Sequence, residues 1–107
     1  MTEEIYICVD VETAGPIPAR YAMLSIGACL VMDIYVNYYD ELKPDRKACD
    51  PGALAISGLN PQSLAKTGTS PGTAMKRFEK WVRSVTPEGT RPVFVALNAP
   101  FDWSFVN

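Results

Sequence analysis

The sequence contains no histidine. Within these 107 residues that excludes every mechanism in which an imidazole activates a serine or cysteine nucleophile. Cysteine is scarce: Cys8, Cys29 and Cys49 are an odd number with no CxxC or Cys/His spacing. Neither a disulfide framework nor a zinc site is therefore written in the chain. A reduced, cytoplasmic setting is the default expectation, with Cys8 and Cys29, inside apolar strand-like runs, acting as small buried hydrophobes. No apolar run approaches the roughly 20 residues that cross a bilayer, so no membrane role is expected. The start, Met1-Thr2-Glu3-Glu4, is acidic and leads straight into a strand-like run, unlike a secretory leader. Excess positive charge is also missing. Ten Lys and Arg face twelve Asp and Glu, for a net charge of −2 and a pI near 5.0. Charge alone therefore does not hold nucleic acid here, whereas a nuclease whose divalent cations supply the positive charge stays open.

What is present suits one folded domain: 48% apolar residues, 21% charged, and a mean hydropathy of +0.01. Ile5–Val11 is β-branched and aromatic, which predicts a buried strand ended by Glu12-Thr13-Ala14-Gly15-Pro16. A loop over Ile17–Tyr21 leads to a second strand, Met23–Met32, in which Leu24, Ile26, Ala28 and Leu30 share a face. A reversal near Asp33 leads to a third strand, Ile34–Leu42. These connections are too short for parallel crossovers, so the three strands form an antiparallel meander. Asp50-Pro51 starts a short helix through Ser57 that Gly58 ends, and Asn60-Pro61 starts another that ends near Gly68. Ser70-Pro71 caps a longer helix, about Pro71 to Val85, with Ala74, Met75, Phe78, Trp81, Val82 and Val85 on one apolar face. Pro92–Leu97 reads as a fourth buried strand, and Asn98-Ala99-Pro100 opens a last helix. The order predicts an α/β fold, a mixed sheet of a three-strand meander plus a further strand, with helices packed on it.

Two constellations could carry chemistry. Asp10 and Glu12, two apart on a strand, point the same way with Cα atoms about 6.6 Å apart. They can share one or two hard divalent cations, or they are two solvated acids at a strand end. Asn98 and Asp102, four apart, share a helix face, as do Phe101 and Phe105. This second set also fits an Asn cap with one exposed acid and two aromatic anchors. The long apolar runs, strands one and four, are expected at the sheet centre. As parallel neighbours they would bring Asp10, Glu12 and Asp102 together where open α/β sheets bind ligands.

These residues resemble a known family. Asp10-Val11-Glu12-Thr13-Ala14-Gly15 is similar to the first motif of the DnaQ-like 3′–5′ exonucleases, the DEDD superfamily of ribonuclease H-like fold. Asn98-x-x-Phe101-Asp102-x-x-Phe105 is similar to the second. Ser25-Ile26-Gly27-Ala28, Glu41-Leu42-Lys43-Pro44 and Ile56-Ser57-Gly58-Leu59 resemble the family in the expected order between them. The resemblance implies a ribonuclease H-like mixed sheet and removal of nucleotides from the 3′ end of single-stranded DNA or RNA. It implies that Asp10, Glu12 and Asp102 ligate two Mg²⁺ or Mn²⁺ ions that act on the attacking water and the leaving oxygen. Backbone N–H groups around Thr13 and Ala14 would hold the terminal nucleotide, and Asn98 would bond near the scissile phosphate. Leu59 and Phe101 would pack on bases or, equally, serve the core.

The sequence departs from the family's pattern after Asp102. The third motif, which carries a His or Tyr general base and a fourth acid, has no counterpart, and the Thr13-x-Gly15 ending leans toward the His subtype. The expectation is a single domain over 1–107 that is the N-terminal part of a longer exonuclease, weak in metal binding and with little or no hydrolysis by itself. Strand four would then be a bare edge, suited to pairing with another copy or a complementing chain. The competing class is a non-catalytic nucleic-acid-binding or protein-interaction module derived from the exonuclease fold.

Overall fold

A computed structural model describes residues 3–18 and 20–96. Strand β1 (Glu3–Thr13) is followed by β2 (Met23–Leu30) and β3 (Asp33–Glu41), then helices α1 (Pro51–Ser57), α2 (Pro61–Thr67) and α3 (Pro71–Val85), and strand β4 (Thr90–Val95). Sheet order is β3-β2-β1-β4, antiparallel through the meander and parallel between β1 and β4. The mixed sheet with packed helices is the expected fold. The expected centre is half right. β1 is interior, but β4 is the outer strand among the described residues and only half-buried along much of its length. Its apolar run reflects one covered face rather than a central place in the sheet.

Alternation along β1 divides the sheet into two faces. Ile7, Val9 and Val11 are buried at 4% exposure or less, whereas Asp10 is exposed and Cys8 and Glu12 are half-buried. The buried set packs with Ile26, Ala28 and Leu42 of the meander against Ala74, Phe78 and Val82 of α3. The helical spacing of these residues buries one stripe and leaves Lys76, Lys80 and Arg83 in solvent. Tyr38, Phe78, Trp81 and Phe94 form an aromatic cluster with ring centroids 5.8–6.3 Å apart. A polar fastener holds the start of α3 to β3. Asp40 accepts from the Tyr38 hydroxyl at 3.2 Å and from Thr69 at 3.0 Å, with the Arg77 guanidinium 3.9 Å away. Burial, and then the Asp40 charge, push the Tyr38 phenol up to about 12.

The short helices are set by their caps. Asp50 accepts from the Ala53 N–H at 3.0 Å with Pro51 in the first turn, and Gly58 closes α1 at φ 71°, a left-handed conformation that costs glycine little. Asn60 accepts from the N–H groups of Gln62 and Ser63. Ser70 was expected to cap α3 with its side chain. Its hydroxyl instead donates to Thr73 Oγ1 at 2.9 Å, and the helix has no side-chain cap.

Candidate active site

The site begins at the C-terminal end of β1, where Asp10 and Glu12 stand on the open face. Asp10 lies opposite Gly27 and Glu12 opposite Ser25 across the β1–β2 ladder. Beyond them, Gly27 lies opposite Tyr39 and Ser25 opposite Glu41. One row therefore runs Asp10, Gly27, Tyr39 and the next runs Glu12, Ser25, Glu41. The Tyr39 hydroxyl donates to Glu41 Oε2 at 2.8 Å. Burial raises the Tyr39 phenol pKa first, Glu41 adds to it, and Glu12 contributes through its charge, as a carboxylate near the ring requires. The sequence gives Glu41 a place in the Glu41-Leu42-Lys43-Pro44 motif but marks neither it nor Tyr39 as a site residue. Their signal was the period of two in β3, read across a register that only the fold supplies.

Past Glu12 the ladder shifts register and β1 ends. Thr13 is buried and its hydroxyl donates to the Gly15 carbonyl at 2.9 Å, turning the chain. The Tyr21 ring lies on Gly15, where a Cβ would collide with it, so glycine is required by this close approach. Ala14 is 1% exposed. Its N–H donates to the Ala22 carbonyl at 2.9 Å, and its carbonyl accepts from the Asp50 N–H at 2.6 Å. The N–H expected to hold a nucleotide is thus already engaged in the fold. Its carbonyl does a different job, fixing α1 beside the end of β1.

Between the end of β1 and α1 lies a cavity of about 410 Å³, lined by Glu12, Thr13, Gly15 and Pro16 on one side and by Asp50, Ala53 and Ile56 on the other. Ile56 is 85% exposed there. Leu59, expected either to pack on a base or to serve the core, does not line this cavity. It is half-buried, packs against the second core of Ala14, Ala22, Leu24 and Leu64, and borders a separate hollow with Leu54 and Pro61. Core packing is therefore what its surroundings show. Ile56 was quoted in the motif but not chosen. Its place on α1 facing Glu12 depends on the Ala14–Asp50 bond.

Asn98, Phe101 and Asp102 lie outside the described residues. What precedes them is described. β4 runs parallel to β1 with Val95 level with Cys8, two residues short of Asp10. The chain therefore leaves β4 at the end of the sheet that carries the two acids. Among the described residues no group of three His, Cys, Asp or Glu could hold a metal ion. The carboxylates of Asp10 and Glu12 are hard oxygen donors of the kind that Mg²⁺ or Mn²⁺ takes. As a donor set they fit such an ion, short of the third carboxylate.

The architecture is that of the exonucleases. Two solved structures of exonuclease I, one with bound product and one the zinc-bound form of the Escherichia coli enzyme with single-stranded DNA, superpose with a TM-score of 0.76 at 21% and 20% identity. Each covers 97% of this chain, and the chain covers 24% and 23% of theirs. In sequence the chain is 45% identical, over 98% of its length, to the 3′–5′ DNA exonuclease Cap18 of Escherichia coli, and 31% identical over 92% to a ribonuclease T of Klebsiella pneumoniae. It spans about half the length of these curated relatives, 56% and 51%. No family model matches. The resemblance drawn from the motifs is matched by these comparisons: over nearly its whole length the chain is similar to 3′–5′ exonucleases.

Proposed function

We propose that this chain carries the first two motifs of a metal-dependent 3′–5′ exonuclease acting on the 3′ end of single-stranded DNA or RNA. The observation that carries the reading is the placement of Asp10 and Glu12 two residues apart on the open face of β1, with Glu12 lining the cavity against α1. Asp10, Glu12 and Asp102 are the metal ligands in this reading, with Asn98 near the scissile phosphate. Ions held there would supply Lewis-acid polarisation of the phosphate and a water activated near neutral pH. The chain's own residues do the positioning. The cavity takes the terminal nucleoside, with Ile56 and Ala53 offering apolar surface to the base and Thr13 and Asp50 offering polar edges to the sugar. Phe101 is a further candidate for base packing. A net charge of −2 leaves little general attraction for a polyanion, so substrate affinity depends on the metal and on stacking. The names of the relatives support 3′–5′ exonuclease action, and the exonuclease I structures with single-stranded DNA support a single-stranded substrate.

The test is a Mn²⁺ or Mg²⁺ titration with a 5′-labelled single strand. Stepwise shortening from the 3′ end that disappears in Asp10→Ala is the expected result, at a low rate for these 107 residues. Strand binding without shortening, unchanged by Asp10→Ala and by chelator, overturns the nuclease in favour of a binding module.

A further inference from the structure

Cys8 and Cys29 are Cα partners in the β1–β2 ladder, and neither is in a disulfide. Directly opposed residues of an antiparallel pair project from the same face. For this pair it is the open face, because Ile7 and Val9 on either side of Cys8 are buried against the helices. Both thiols are half-buried rather than sealed in the core, contrary to the expectation of small buried hydrophobes. The Val31 N–H donates to the Tyr6 carbonyl at 2.9 Å, and with the register unbroken the next hydrogen-bonded pair, two residues on, is Cys8 and Cys29. Such pairs hold their Cα atoms about 5.5 Å apart. That is within the roughly 4.4–6.8 Å that a disulfide spans. Side chains in a hydrogen-bonded pair stand farther apart than in the alternate pair, so closing the bond strains the ladder and leaves it easily reduced. Cys49, exposed in the loop before α1, has no place in this ladder.

We propose that Cys8 and Cys29 form a dithiol modification site, converted reversibly to a cross-strand disulfide by small-molecule disulfides such as oxidised glutathione. One thiolate attacks the disulfide, forms a mixed disulfide and expels one glutathione thiolate. The second cysteine's thiolate attacks the bound protein sulfur, closes the Cys8–Cys29 bond and expels the other. The two protein thiols lose two electrons and two protons. The reagent gains both and leaves as two thiols. The bond ties β1 to β2 two residues before Asp10, on the same face.

The experiment treats the chain with oxidised glutathione in a Cys49→Ser background and measures intact mass, then maps peptides without reduction. The expected product is about 2 Da lighter than the reduced protein, with Cys8 and Cys29 in one linked peptide pair. It reverts with dithiothreitol. Cys8→Ala and Cys29→Ala each stop at a persistent mixed disulfide on the remaining thiol. Mixed disulfides on both cysteines without closure, or no reaction in a chain whose circular dichroism shows it folded, overturns the proposal. Neither result bears on whether the acids bind metal, so the two readings fail separately.

Discussion

Residues on the two faces of β1 alternate along one short segment yet meet opposite surroundings. Ile7, Val9 and Val11 are sealed against α3 and the meander, while Cys8, Asp10 and Glu12, each one residue away, stay open or half-open. The covered face holds the aromatic cluster and the apolar core, and so most of the favourable burial energy. The open face holds carboxylates that solvent still reaches, so two like charges can stand together at little cost to folding. The same strand therefore separates stability from chemistry, and substitutions on the two faces should separate the same way.

The largest effect is expected on the covered face. Phe78→Ala removes a ring that touches Tyr38, Trp81 and Phe94 and should lower stability by about 3–5 kcal/mol in urea unfolding. A loss under about 1 kcal/mol would mean that the cluster does not carry the fold. Asp40→Ala strips the acceptor from Tyr38 and Thr69 and should cost about 1–3 kcal/mol, with loosened amide exchange at the start of α3. Asp50→Ala should cost about 1 kcal/mol through the lost α1 cap. It should also weaken binding of a mononucleotide if the cavity is the terminal subsite.

The pH dependence follows from Tyr38. Its phenol is neutral up to about 12 in the folded chain, above the ordinary 10.0 of an unfolded tyrosine. The stabilisation is complete below pH 10 and is lost as pH rises through about 12. Thermal melts across that window should fall, and Tyr38→Phe should flatten the decline. The smallest stability effect belongs to the open face. Asp10→Asn should stay within about 0.5 kcal/mol of the parent, or gain slightly as repulsion with Glu12 is relieved, while divalent-cation binding by calorimetry is lost. A destabilisation like that of Phe78→Ala would abolish the contrast between the faces.

Helix starts and strand periods were legible because they depend on neighbours in the chain. Asp50-Pro51 and Asn60-Pro61 place a side-chain acceptor beside a residue with no N–H, and each opens a helix as expected. The spacing of Ala74, Phe78 and Val82 fixed which side of α3 is buried. Ser70 failed as a cap although its sequence context matched. A hydroxyl has several partners within reach, and Thr73 won it. Asp10 and Glu12 were legible as a pair because residues two apart on a strand share a face. Leu59 and Ile56 were not separable by sequence. Both are apolar and stand in the same motif, and which one borders the acids depends on how α1 is tethered.

The sequence by itself determined the elements, the pairing of Asp10 with Glu12, and the kinship with exonucleases, because local periodicity, caps and motif identity need no knowledge of distant residues. Tertiary structure alone decided that Tyr39 and Glu41 stand beside the acids and that Ile56 rather than Leu59 faces the cavity. It also decided that Cys8 meets Cys29. Each of these is a register or a docking between segments far apart in the chain, fixed by the summed burial of a core and by bonds such as Asp50 to Ala14, which no single stretch of sequence specifies.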